Sequence, residues 1–151
     1  MRLVKSLEQY DSACIFFCDS IKNNVMHDGN FIRVIYSNSL FVLNGVHLYF
    51  TVTPLCIEKC HNKYKIIFDK TVDQYIIDRL KYVEENIVNK VRIARKEPQY
   101  KITDQLQSGS IKISLDDDSI LLLEKTTIIL KISGIWETDF NYGITYRFSK
   151  G

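Results

Sequence analysis

Apolar and polar residues alternate strictly from Gly143 to Phe148, with Ile144, Tyr146 and Phe148 set against Thr145 and Arg147, and the stretch from Thr126 to Trp136 is rich in β-branched residues. Both are strand patterns. They predict two long antiparallel strands joined through Glu137 to Tyr142, with the only tryptophan, Trp136, at the base of the connection. A closing hairpin gives a small β-protein its longest pairing, and the rest of the chain offers partners for it. Phe31 to Tyr36 is β-branched and aromatic and follows the turn signal Asp28-Gly29-Asn30. Leu40 to Leu43, Asn44-Gly45 and Val46 to Thr53 predict a β-hairpin, because Asn-Gly supplies the two positive-φ positions of a type I′ turn. In its second strand Val46, Leu48, Phe50 and Val52 share one face, and His47, Tyr49 and Thr51 the other. Pro54 ends that strand and Cys56 to Asn62 reads as a connection. Lys63 to Asp69 alternates again, Tyr64, Ile66 and Phe68 inward and Lys63 and Lys65 outward. Ser110 to Leu115 sets Ile111, Ile113 and Leu115 against Lys112 and Ser114.

One stretch has the helical period. Thr71-Val-Asp-Gln74 fits a capping box, so a helix is predicted from Val72 to about Ala94, ahead of Pro98. Val72, Tyr75, Ile76, Leu80, Val83, Ile87 and Val91 form its apolar stripe, and Asp73, Arg79, Glu84, Glu85 and Asn89 its water-facing side. Its basic end, Lys90, Arg92, Arg95 and Lys96, complements the helix dipole. Tyr100 to Gly109 predicts a connection with one turn of helix, and Asp116-Asp117-Asp118 a solvated turn. At the start of the chain, Leu3, Leu7 and Tyr10 followed by the apolar Ala13 to Phe17 predict a short helix or irregular arm and then a strand.

At 151 residues, 46% of them hydrophobic, the chain has the length and the apolar content for one domain with a real core. Two prolines, six glycines and no repeat place no linker, so residues 1–151 read as one unit with residues 1–28 as an extension packing on it. The start lacks the basic, apolar and small-residue regions of a secretory signal, and no apolar run approaches membrane-spanning length, so the expectation is a soluble intracellular protein without a membrane partner. The net charge of +2 does not announce a nucleic-acid partner by itself; distribution decides. Cys14, Cys18, Cys56 and Cys60 form two Cys-x3-Cys pairs, and Cys60-His61 keeps a zinc reading open. The favoured reading is ordinary thiols, with no metal and no cofactor.

Strand, strand pair, strand, helix, strand and closing hairpin is the order expected of a mostly β, α+β fold. It suits an oligonucleotide-binding (OB) five-stranded barrel with the helix between strands 3 and 4, and also an open α+β sandwich. The segments Tyr100-Lys-Ile-Thr-Asp-Gln-Leu-Gln-Ser-Gly109 with Ile111-Lys-Ile113, Ile129-Leu-Lys-Ile-Ser-Gly-Ile-Trp136 and Tyr142-Gly-Ile-Thr-Tyr-Arg-Phe148 resemble the C-terminal half of virus-encoded single-stranded DNA-binding proteins of large DNA viruses and related mobile elements, akin to short phage replication proteins. The resemblance covers roughly residues 63–148. It implies the barrel, single-stranded DNA binding in viral replication or recombination, and a place in the host cytoplasm or nucleus. Replication proteins and a second copy of the chain are the further partners it leaves open. Phage members end in an acidic, partner-recruiting tail, whereas this chain ends in Phe148-Ser-Lys-Gly151.

The outward strand positions collect Arg33 or its neighbour Tyr36, His47, Tyr49, Lys63, Lys65, Lys112, Lys131 and Arg147. A basic and aromatic face suits sequence-independent single-strand binding, in which cations track phosphates and rings stack on bases; the plainer account is solubilising lysines on strand edges. Trp136, with Phe140 and Tyr142 near it, reads as either a stacking platform or a hairpin clasp. The candidate binding residues are therefore Arg33, Tyr49, Lys63, Lys65, Lys112, Lys131, Trp136 and Arg147. His27, His47 and His61 are isolated and no phosphate-cradling glycine loop or nucleophile motif occurs, so no catalytic residues and no enzyme activity are expected. The alternative function is a non-enzymatic structural or protein-interaction module.

Overall fold

The closing hairpin is the spine of the structure. The computed structural model describes residues 4–22, 29–61, 63–114 and 126–151. Among them the chain forms, in order, β1 (Lys5–Ser6), β2 (Ile15–Phe17), β3 (Ile21–Lys22), β4 (Asn30–Ser37), β5 (Val42–Asn44), β6 (Val46–Val52), β7 (Pro54–Cys60), β8 (Lys63–Phe68), α1 (Gln74–Val91), β9 (Glu97–Gln99), α2 (Lys101–Gln107), β10 (Ser110–Ser114), β11 (Thr126–Glu137) and β12 (Asn141–Lys150). β11 and β12 pair antiparallel from Ile128↔Lys150 to Glu137↔Tyr142, as the alternation predicts. The aspartate run 116–118 and His27 lie outside the described residues.

The main sheet runs β1-β6-β11-β12-β10-β8-β7. The far side of β11 is shared: Thr126 to Ile132 pair with β6, and Gly134 to Glu137 with β4. The fold is thus mostly β with one main helix, and the sheet is open, so the closed five-stranded barrel is not what forms. Two features account for that. The stretch read as a connection, Cys56 to Asn62, is largely strand β7, which lies outside β8 and ends the sheet there. β4 and β6 both dock on β11 and leave that opposite edge unclosed.

The Asn44-Gly45 hairpin is a second correction. β5 pairs back onto β4 (Tyr36↔Leu43) through the turn at Asn38, whose side chain accepts from the Leu40 and Phe41 amides, while β6 pairs with β11 and β1. Gly45 is the corner at which the chain changes partner. Its φ is +104°, and a Cβ there would stand 2.7 Å from the Ile132 carbonyl oxygen. The left-handed geometry that Asn-Gly signals is present, spent on a corner and not on a two-residue turn. Gly45→Ala combines the positive φ with that close approach and is expected to cost about 1–3 kcal/mol, read as a lower urea midpoint with unchanged m-value.

One core forms from the inward strand residues, including Ile66, Phe68, Ile111, Ile113, Ile128, Leu130 and Phe148, with Ile77, Leu80, Val83, Ile87 and Val88 of α1. The helix is rotated from the expected stripe. Val72 and Tyr75 are exposed, and Ile77 and Val88 are buried in their place. Burying a branched aliphatic gains roughly 1.5–3 kcal/mol, whereas Tyr75 keeps its hydroxyl at the surface, bonded to Glu8. The capping box is not used either. The Asp69 carboxylate accepts from the Thr71 and Val72 amides, and Asp73, expected in water, is buried and accepts from Thr53 N at 2.8 Å. The N-terminal arm packs on α1 through Tyr10 Oη to Asn86 (2.7 Å), Arg79 to the Leu7 carbonyl (3.0 Å) and Lys90 to the Ser12 carbonyl.

Glu84, also expected in water, is fully buried. Its carboxylate accepts from Ile102 N (2.9 Å), Thr103 N (2.8 Å) and Thr103 Oγ1 (2.6 Å), the first backbone donors of α2. Burial raises its pKa above the ordinary carboxylate value, against the lowering effect of those bonds. The Glu84 carboxyl is therefore the fastener of a short helix that the sequence shows only as a turn.

Candidate functional site

Strand register carries the outward residues onto one face. Lys131 stands between His47 of β6 and Arg147 of β12, and Lys112 stands opposite Lys65. The single β10–β12 pair, Ile113↔Phe148, joins these two groups, because both partners point inward and their neighbours Lys112 and Arg147 point out. A row His47, Lys131, Arg147, Lys112, Lys65 thus crosses five strands, about 19 Å at the usual strand spacing, and ends at Glu58, opposite Lys65 on β7. Next to it Tyr49, 43% exposed, faces Ile129, and Lys63 faces Ser114. Arg33 faces Gly134 on the other side of the row, and Trp136 lies beyond, between Phe31 and Gly143.

All eight candidate binding residues therefore share the outer face of the sheet, which is backed by the core and α1. Tyr36, the alternative to Arg33, is a correction: it is buried, and its hydroxyl accepts from the Asp11 amide. Among the described residues no carboxylate lies within ion-pairing distance of Arg33, Lys63, Lys65, Lys112, Lys131 or Arg147; the ion pairs found are Lys81–Glu85 and Lys96–Glu137. The uncompensated charge is felt by His47, whose pKa is lowered first by burial and then by Lys131 and Arg147. Such a surface attracts polyanions.

Charge is densest where β10 and β12 diverge. A cleft of about 430 Å³ opens there, lined by Lys63, Lys65, Lys112 and Arg147 with Gln105 and Ser108 of the α2 end. β10 and β12 meet at the Ile113↔Phe148 pair at one end of it, and the Tyr146 hydroxyl, which also lines it, donates to Gln105 Oε1 at 2.8 Å. Burial, with Glu84 and Asp104 nearby, pushes that hydroxyl up to about 12, so it stays a donor. The sequence does not signal this notch: a parallel β10–β12 contact and the α2 seat behind it come from pairings distant along the chain. A more apolar hollow lies at the other end of the face, where Tyr49 and Ile129 meet Val4, Thr51, Thr127 and Gly151.

Trp136 is half-buried, and the structure gives it a packing role. Its ring covers Gly143, where a Cβ would stand 2.9 Å from it, and Lys101 Nζ lies 4.9 Å above the ring. The large ring shields the glycine opposite, and the cation over it adds a modest attraction. Trp136→Ala is expected to cost about 2–4 kcal/mol, measured by thermal melting. At the basic helix end, Lys96 is held by Glu137 (3.0 Å) and the Thr138 carbonyl (2.6 Å), whereas Arg92 and Arg95 are exposed at positive φ.

Cys14 is buried, Cys18 half-buried and Cys56 exposed on β7, and among the described residues no group of three potential ligands could hold a metal. No helix of the described residues is long and apolar enough to cross a membrane. Set against protein-family models, curated proteins and solved structures, the chain finds no match in any of the three.

Proposed function

We propose that the protein binds single-stranded DNA without sequence preference on the outer face of its sheet, as a viral replication or recombination protein of the kind its C-terminal half resembles. The fold would then be an opened relative of the OB barrel, keeping the helix between strands and the closing hairpin. One observation carries the reading: cations from β8, β10, β11 and β12 form a continuous row with no carboxylate paired to it among the described residues. Phosphates follow such a row, and Tyr49 offers an exposed ring beside it for a base, worth about 1–3 kcal/mol when stacked. Fluorescence anisotropy with an oligonucleotide of about thirty bases, longer than the roughly 4–16 nucleotides one such domain covers, tests it. Log affinity should fall linearly with log salt, and duplex of equal length should bind more weakly. No binding at low ionic strength would sink the proposal.

The His47 environment adds a pH prediction. In the free protein burial, Lys131 and Arg147 hold its pKa below the ordinary histidine value. Phosphates on the same row would raise it, so binding takes up a proton, and affinity should increase as pH falls from neutral toward 5.5. His47→Ala should flatten that dependence in the same anisotropy assay.

The second reading, a protein-interaction module, is favoured by apolar side chains around β4: Phe16, Ile21, Leu40 and Val42 are all exposed, Leu40 by 87%. Concentration-dependent self-association with no oligonucleotide binding would favour it.

A further inference from the structure

We infer that the notch between β10 and β12 seats the terminal phosphate of a bound strand. This rests on the reading of the outer face as a single-strand surface and adds an end preference to it. Charge is the first argument. Lys63, Lys65, Lys112 and Arg147 line one cleft whose lining includes no carboxylate. An internal phosphodiester brings one negative charge, whereas a phosphomonoester brings about −1.5 to −2 near neutral pH and three acceptor oxygens. The doubly charged group matches four converging cations better.

Shape is the second. The strands that flank the notch meet at the Ile113↔Phe148 pair, so the gap between them narrows to an apex there, and Tyr146, bonded to Gln105, lines the notch together with Ser108. A chain end can enter such a wedge. Donor chemistry is the third. Tyr146 occupies Gln105 Oε1, which leaves the amide of Gln105 as a donor toward a phosphate oxygen. The outward row then leads from the notch along Arg147 and Lys131 toward Tyr49, so the nucleotides behind the end meet cations first and the exposed ring afterwards.

The test uses the full chain and three internally labelled oligonucleotides of one sequence, about twelve bases long. One carries a 5′-phosphate, one a 3′-phosphate, and one has hydroxyls at both ends. At matched salt at least one phosphorylated form should bind roughly tenfold tighter than the hydroxyl-ended form. Ser108→Asp, which adds a carboxylate to the notch, should bring that ratio near one. Inorganic phosphate at constant ionic strength should do the same to the wild-type protein, which keeps the test valid if the variant misfolds by circular dichroism. Equal affinities for all three oligonucleotides overturn the notch and leave the face reading standing. A phosphate advantage that survives both the variant and the competitor overturns it too, as charge acting elsewhere on the face. No binding by any of the three overturns both.

Discussion

Glu84→Ala is expected to lower stability by roughly 3–5 kcal/mol, the largest loss from a single side chain outside the aliphatic core. The carboxylate is fully buried and caps the Ile102 and Thr103 amides and the Thr103 hydroxyl. Its removal leaves these donors without a partner in a place water does not reach, and each such group costs about 1–3 kcal/mol. Glu84→Gln keeps one acceptor oxygen and should lose less. The pH dependence shows whether burial or these bonds dominate at the carboxyl. A pKa raised in the folded state contributes stability that is complete below the ordinary carboxylate value and is lost as pH rises through the raised value. The stability difference between wild type and Glu84→Gln should therefore narrow from acid toward neutral pH in urea titrations; a difference that widens would mean that the three bonds outweigh burial. Because α2 supplies Gln105 and Ser108 to the notch, Glu84→Ala should also loosen that end of the face.

Lys131→Ala combined with Arg147→Ala is expected to weaken oligonucleotide binding about a hundredfold at low salt, each charge-assisted contact being worth about 1.5 kcal/mol. The slope of log affinity against log salt should shrink by roughly 1.4, since each lost phosphate contact removes ~0.7 for a single strand. Stability should hardly change, because neither side chain is ion-paired among the described residues. His47 provides an internal control without DNA. With both cations gone only burial still lowers its pKa, so its imidazole should titrate closer to the ordinary value in the double variant, visible by NMR. Wild-type affinity and slope in the double variant would move attention to Arg92 and Arg95.

Alternation made the face legible. Lys63, Lys65, Lys112, Lys131 and Arg147 each interrupt an apolar run at period two, so their outward direction follows from the strand itself, whichever neighbour it pairs with. The closing hairpin was legible for the same reason. What did not follow was pairing. Asn44-Gly45 reads identically in a hairpin and at a corner, and only the docking of β6 on β11 decides between them. Cys56 to Asn62 lacks alternation because β7 is an edge strand whose side chains are mostly exposed or half-buried. Glu84 read as solvent-facing because charge is the ordinary sign of a wet helix face, and its partners, the α2 amides, are backbone groups invisible to composition. Gly134 belongs with these: a Cβ there would stand 2.3 Å from the Ile32 carbonyl oxygen, a constraint set by β4 from a hundred residues away.

The most direct measurement is lysine labelling with and without single-stranded DNA, read residue by residue by mass spectrometry. Lys63, Lys65, Lys112 and Lys131 should be protected by the oligonucleotide, while Lys81 and Lys90 on α1, behind the sheet, should label at unchanged rates. Protection confined to α1, or no lysine on the outer face protected under conditions where the strand is bound, would contradict the account.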